Sequence, residues 1–131
     1  MAEAYIVDAC RTPRGIGKQG KGALAELHPG RLLAQVLENI EARNDLKTED
    51  IDDVVVACSS QIGKQGSCVG RMAALDAGWS DKASGMTLDR FCGSGITSVN
   101  IAAANIMAGM DDLCVAGGVE MMSYTPTVPR A

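Results

Sequence analysis

A chain of 131 residues, 47% hydrophobic and 21% charged, has enough apolar content for one domain with a single core, which excludes a disordered segment. A formal net charge of −4 without a basic stripe, and only four aromatics (one Trp, two Tyr, one Phe), argue against binding nucleic acid by phosphate attraction or base stacking. No apolar stretch approaches the ~20 residues of a membrane-spanning helix, and the opening MAEAYIVDAC, acidic at Glu3, reads as neither a signal nor a transit peptide.

In chain order, the short apolar run from Ala4 to Ala9 predicts a first strand, followed by a Gly- and Lys-rich loop from Arg11 to Gly22. In HPGRLLAQVLENIEAR, Leu33, Val36, Leu37 and Ile40 recur at helical spacing, with Pro29 placed for the first turn. Asp53 to Cys58 holds three successive valines and predicts a strand covered on both faces. Cys68 to Ala77 predicts a helix, with Gly78 as its C-terminal stop. Gly85 to Phe91 follows as a third strand. The segment from Ser94 to Met110 is apolar nearly all round, which predicts a helix buried on more than one side. Leu113 to Ala116 predicts a fourth strand, and the tail SYTPTVPRA predicts a loop.

The resulting βαβαβαβ order implies an α/β fold with a mainly parallel sheet. In such sheets, chemistry gathers at the carboxyl ends of the strands. Four segments are expected there: Arg11 to Gly22, Ser59 to Ser67, Cys92 to Gly95, and Gly117 to Ser123. The tetrapeptide GKQG occurs at 17–20 and again at 63–66, so both copies should lie along one edge.

The five cysteines, Cys10, Cys58, Cys68, Cys92 and Cys114, are odd in number and form no CxxC pair. Neither a metal site nor a disulfide framework is expected, and a reducing compartment, the cytoplasm, is favoured. Cys92 is distinct. In LDRFCGSGITSV a strand hands over to a helix at this residue, where free backbone N–H groups and the helix dipole favour an anion. The thiolate is the nucleophilic form of cysteine. Gly93 and Gly95 clear space for a substrate and permit a tight turn, and Ser94 can cap the helix. The pattern is that of a nucleophile elbow with sulfur in place of oxygen. Cys10, Cys58 and Cys114 lie in or at the ends of apolar strands and read as structural. Cys68, which also begins a helix, is the least distinct of the other four.

LDRFCGSGITSVNIAAANIMAG resembles the nucleophile segment of the thiolases, the acyl-CoA acetyltransferases. YIVDACRTPRG is similar to the family's opening strand and RTP-G turn, here Arg11, Thr12, Pro13 and Gly15. GRMAALDAGW is similar to the helix before the third strand. AGGVEMMS is similar to the GG-E-MS segment, here Gly117, Gly118, Glu120, Met122 and Ser123. The matches keep the family's order and span nearly all of the chain.

This resemblance implies a layered fold, the N-terminal half of an αβαβα sandwich. Residues 1–131 would form an incomplete N-terminal domain, without a later strand, the loop domain and the C-terminal half. It further implies acyl transfer between coenzyme A thioesters in lipid and fatty acid metabolism, by thiolysis or Claisen condensation. Cys92 would carry the acyl group, and its backbone N–H would be a candidate oxyanion donor. No cofactor is expected beyond coenzyme A thioesters as substrates. The expected partners are a C-terminal half or partner subunit, in a homo-oligomer. The family's activating histidine, second cysteine and asparagine–histidine pair match nothing here. His28, the single histidine, precedes Pro29 and reads as a surface cap, so the chain alone is expected to be inactive.

Two other readings stand beside this one. A non-catalytic assembly subunit would keep the fold without the reaction. A nucleotide-binding α/β domain is suggested by GIGKQG, Gly15 to Gly20, which matches G-x-G-x-x-G. That motif requires glycines opening a helix directly after a strand, whereas the helix here is expected only near Pro29.

Overall fold

The computed structural model describes residues 2–124. Three α-helices and three strands follow one another: α1 (Pro29–Asn44), β1 (Asp53–Ala57), α2 (Val69–Asp76), β2 (Ser84–Leu88), α3 (Ser94–Met107) and β3 (Cys114–Gly118). The strands form one parallel sheet in the order β2-β1-β3, with Val55 beside Met86 on one side and Ala116 on the other. This is the expected α/β architecture with a parallel sheet. Among the described residues no helix is long and apolar enough to cross a membrane.

The valine run explains why β1 is central. Val54, Val55 and Val56 are at most 1% exposed, so apolar side chains leave both faces of the strand, as two-sided cover demands. Val54, Val56 and Cys58 join Leu33, Ala34 and Leu37 of α1 and Val69, Ala73 and Ala74 of α2 in one core. The alternate residues, Val55 and Ala57, face the opposite side, where α3 lies. That helix presents a narrow stripe of small residues to the sheet: Ser94, Ser98 and Ala102 are its buried positions. The Ser98 hydroxyl reaches the Gly117 carbonyl at 3.1 Å and fastens α3 to β3.

Helix ends follow local chemistry. His28 caps α1, its Nδ1 accepting the Gly30 N–H at 3.1 Å, and Pro29 occupies the first turn. The single histidine is therefore a helix cap, as expected. Gly78, at φ 77°, follows α2 in the left-handed conformation expected of a helix stop. Close approach requires another glycine: a Cβ on Gly70 would stand 2.7 Å from Val56 Cβ and 2.8 Å from the Met86 carbonyl oxygen.

Two expectations are corrected. No strand forms over residues 4–9, and Tyr5, Ile6 and Val7 stand 75–84% exposed. A strand needs a neighbour for its backbone groups. Both edges of β1 are occupied, and no described segment pairs with residues 4–9. This segment is instead tied to α1, by Asp8 to Arg43 Nη2 at 2.9 Å and Asn44 Nδ2 at 2.8 Å, and by the Cys10 thiol to the Val36 carbonyl. The order is thus αβαβαβ. Second, α3 is buried on one side only. Ile96, Val99 and Met107 are exposed, because among the described residues only the sheet packs against this helix. The tail beyond residue 124 lies outside the described residues.

Candidate nucleophile site

Parallel strands place their carboxyl ends on one edge, so the segments after β1, β2 and β3 converge there. The segment after β2 carries Cys92. The strand was expected to reach Phe91 but stops at Leu88, because Asp89 diverts the chain. The Asp89 carboxylate accepts the Phe91 N–H at 2.7 Å, closing a local turn. Phe91 then adopts φ 48°, a left-handed conformation that costs a bulky residue free energy. Cys92 follows, Gly93 occupies the cap position, and α3 begins at Ser94.

Cys92 thus stands two residues before the first helical residue, at the expected strand-to-helix handover, and it is the one exposed cysteine of the five. Ser94 departs from expectation. The α3 cap makes no side-chain hydrogen bond. Instead the buried Ser94 hydroxyl turns back into the loop, accepting from Arg90 N and donating to the Phe91 carbonyl, both at 2.6 Å. It fastens the turn that carries Cys92 and does not satisfy the helix amides. No atom lies within 4 Å of where a Gly95 Cβ would stand, so packing alone does not demand that glycine.

The other cysteines occupy different surroundings. Burial, with the Glu120 carboxylate nearby, pushes the Cys58 thiol up to about 12. Burial, with Asp111 at 3.3 Å, does the same for Cys114. Cys68 does stand at a helix start, capping α2, but it is half-buried and its thiol meets the Gly85 carbonyl and the Thr87 hydroxyl.

The segments after β1 and β3 are joined by polar contacts that sequence reasoning did not single out. Glu120 Oε2 accepts the Ser59 N–H at 2.9 Å and the Ser60 N–H at 3.4 Å. Its Oε1 accepts from Gln65 Nε2 at 3.3 Å. Gln65 is fully buried and also accepts the Met121 N–H at 2.6 Å. Glu120 was named from the sequence only as part of the GG-E-MS segment, without these contacts. Gln65 lies in the second GKQG copy and Ser59 opens a segment expected at this edge, but nothing in the sequence tied either to Glu120.

Hydrogen bonds thus join three of the four segments expected at this edge, and the fourth reaches it at Gly17. Within the fourth, a Cβ on Gly17 would meet Met122 Cβ at 2.9 Å, while Gly63 lies against Tyr124. Both GKQG copies thus reach the segment after β3, as expected of one edge. Arg11 and Thr12 are not joined to Cys92; Arg11 donates to the neighbouring Thr12 carbonyl at 3.0 Å. The glycines from Gly15 to Gly20 lie in loop well before α1, so they do not open a helix after a strand.

The thiolase N-terminal domain model matches residues 4–131. The chain belongs to the thiolase family. It is 46% identical, over 98% of its length, to a 3-oxoadipyl-CoA/3-oxo-5,6-dehydrosuberyl-CoA thiolase of Escherichia coli K12, covering 31% of that protein. It is 41% identical, over 96% of its length, to a steroid 3-ketoacyl-CoA thiolase of Mycobacterium tuberculosis, covering 30% of it. The crystal structure of a Bacillus anthracis acetyl-CoA acetyltransferase superposes with a TM-score of 0.78 at 34% identity, over 87% of this chain and 28% of that one. This thiolase chain thus spans under a third of the length of these relatives, all of which are named as enzymes.

Proposed function

We propose that this segment supplies the acyl-carrying nucleophile of a thiolase-type acyltransferase acting on coenzyme A thioesters, with Cys92 as that nucleophile. In this reading the Cys92 sulfur attacks the thioester carbonyl carbon. The bond from that carbon to the coenzyme A sulfur breaks, and coenzyme A leaves with the proton released by the cysteine. The acyl-cysteine then passes its acyl group to the carbanion of a second thioester or back to coenzyme A.

The observation that carries this reading is the placement of Cys92. It is exposed, beside the start of α3, at the edge where three strand ends meet, while Cys58 and Cys114 are held as thiols. The names of the relatives support the substrate class. The remaining groups of the reaction would come from further chain, its own or another's, set against the exposed side of α3.

The test is acyl capture. After incubation of the assembled enzyme, with the part that supplies the remaining groups present, with acetyl-CoA, peptide mass spectrometry should find an acetyl group on the peptide bearing Cys92, absent in Cys92→Ala. Acetylation spread over several cysteines, or none in an otherwise folded protein, would dismiss the assignment. The latter result would favour a non-catalytic assembly role.

A further inference from the structure

Phe91 directs attention to the residues that hold it. Its left-handed backbone is unfavourable for a bulky residue and persists only where the surroundings enforce it. The ring does not do so, being 79% exposed. The backbone does. The Phe91 N–H is held by Asp89, and its carbonyl accepts from Ser94 N at 3.1 Å, from Ser94 Oγ and from Ser59 Oγ at 2.9 Å. Of these partners, Ser59 alone comes from outside the segment that carries Cys92.

Ser59 follows β1, and its position is set from a third segment. Its N–H is bound by Glu120, just after β3, and Glu120 is steadied through its other oxygen by the buried Gln65. An unbroken path therefore runs from the carboxylate of Glu120 through the backbone and hydroxyl of Ser59 to the carbonyl immediately before Cys92. A hydrogen bond to an ionised carboxylate is stronger than one between neutral groups, so this path is anchored at its charged end.

The geometry points to Glu120, acting through Ser59, as a positioning residue for the Cys92 nucleophile. Its hydrogen bonds among the described residues go to Ser59, Ser60, Gln65 and the Cys58 thiol, not to Cys92. It fixes the carbonyl about which the turn closes, and so the direction in which the thiol is presented. The inference rests on the nucleophile assignment above for its catalytic meaning, though not for its structural content.

The experiment compares Ser59→Ala, Glu120→Gln and their double variant, in the full chain. It reads amide hydrogen exchange at Ser94 and the iodoacetamide alkylation rate of Cys92 relative to Cys10. Each single variant should speed Ser94 exchange and slow Cys92 alkylation by about tenfold. Exchange at Val55 should be unchanged, which separates a local effect from general loosening. The double variant should be no worse than the more affected single one, because both substitutions cut one path. Ser59→Thr, which keeps the hydroxyl, should restore parent behaviour even if Glu120→Gln fails to fold. Unchanged Ser94 exchange and Cys92 alkylation in Ser59→Ala, or losses that add in the double variant, would overturn the inference. Absence of acetyl capture at Cys92 in the assembled enzyme would overturn the nucleophile assignment instead, so the two failures are distinguishable.

Discussion

At the scale of single residues, environment separates five chemically identical thiols. Cys58 and Cys114 are pushed up to about 12, by burial first and by Glu120 and Asp111 second, so both stay protonated and unreactive through neutral pH. Alkylation followed from about pH 7 to pH 9 should therefore modify Cys92 while leaving Cys58 and Cys114 intact. Peptide mapping that found either of these labelled first would contradict the placement. A second prediction concerns Asp52. Its carboxylate accepts the Asp112 and Leu113 N–H groups at 2.7 and 3.1 Å, which hold its ionisation below the usual aspartate range. A carboxyl group depressed on folding stabilises the folded state above its unfolded value, and that contribution is lost as pH falls through the lower, folded value. Asp52→Asn should thus lower the urea midpoint near neutral pH, with the parent and variant midpoints converging in strong acid. A difference that persisted there would locate the effect elsewhere.

At the scale of elements, the spacing of apolar residues carried most of what the fold required. α1 was legible because Leu33 and Leu37 recur on one face behind a capping His28, and β1 because three valines admit no exposed side. β2 and β3 were found with shifted ends. The turn after β2 is not legible in the sequence, because the Asp89 hydrogen bond that stops the strand is a side-chain event within a run otherwise suited to a strand. The placement of Cys92 just before a helix was legible from glycines and a serine at a strand-to-helix junction. The residues that fasten its turn were not, because Ser59, Gln65 and Glu120 meet only after three separate strands align in register. The first strand failed for a related reason: an apolar run shows that a segment could pair, never that a partner is present. Packing of α2 on the sheet gives an element-scale test. Gly70→Ala would force a methyl group into Val56 and the Met86 carbonyl, costing about 1–3 kcal/mol. Chemical denaturation should show that loss; an unchanged midpoint would mean that α2 can shift outward freely.

At the scale of the molecule, the sheet divides two unlike sides. On one, α1 and α2 enclose a continuous apolar core. On the other, α3 turns small residues inward and leaves Ile96, Val99 and Met107 exposed. At helical spacing these exposed positions share the face opposite Ser94, Ser98 and Ala102, and an apolar stripe of this kind favours association. Sedimentation of the chain should show self-association at micromolar concentrations, reduced in the double variant Ile96→Lys, Met107→Lys; a parent that stays monomeric throughout would show the stripe to be inert. The single tryptophan, Trp79, lies on the enclosed side, buried in that core with its indole N–H bonded to Glu41 at 2.7 Å. Intrinsic fluorescence excited at its absorption band will therefore report the docking of α1 and α2. It will be blind to the Cys92 turn, so a normal emission spectrum would certify a folded scaffold and say nothing about whether the thiol is correctly presented.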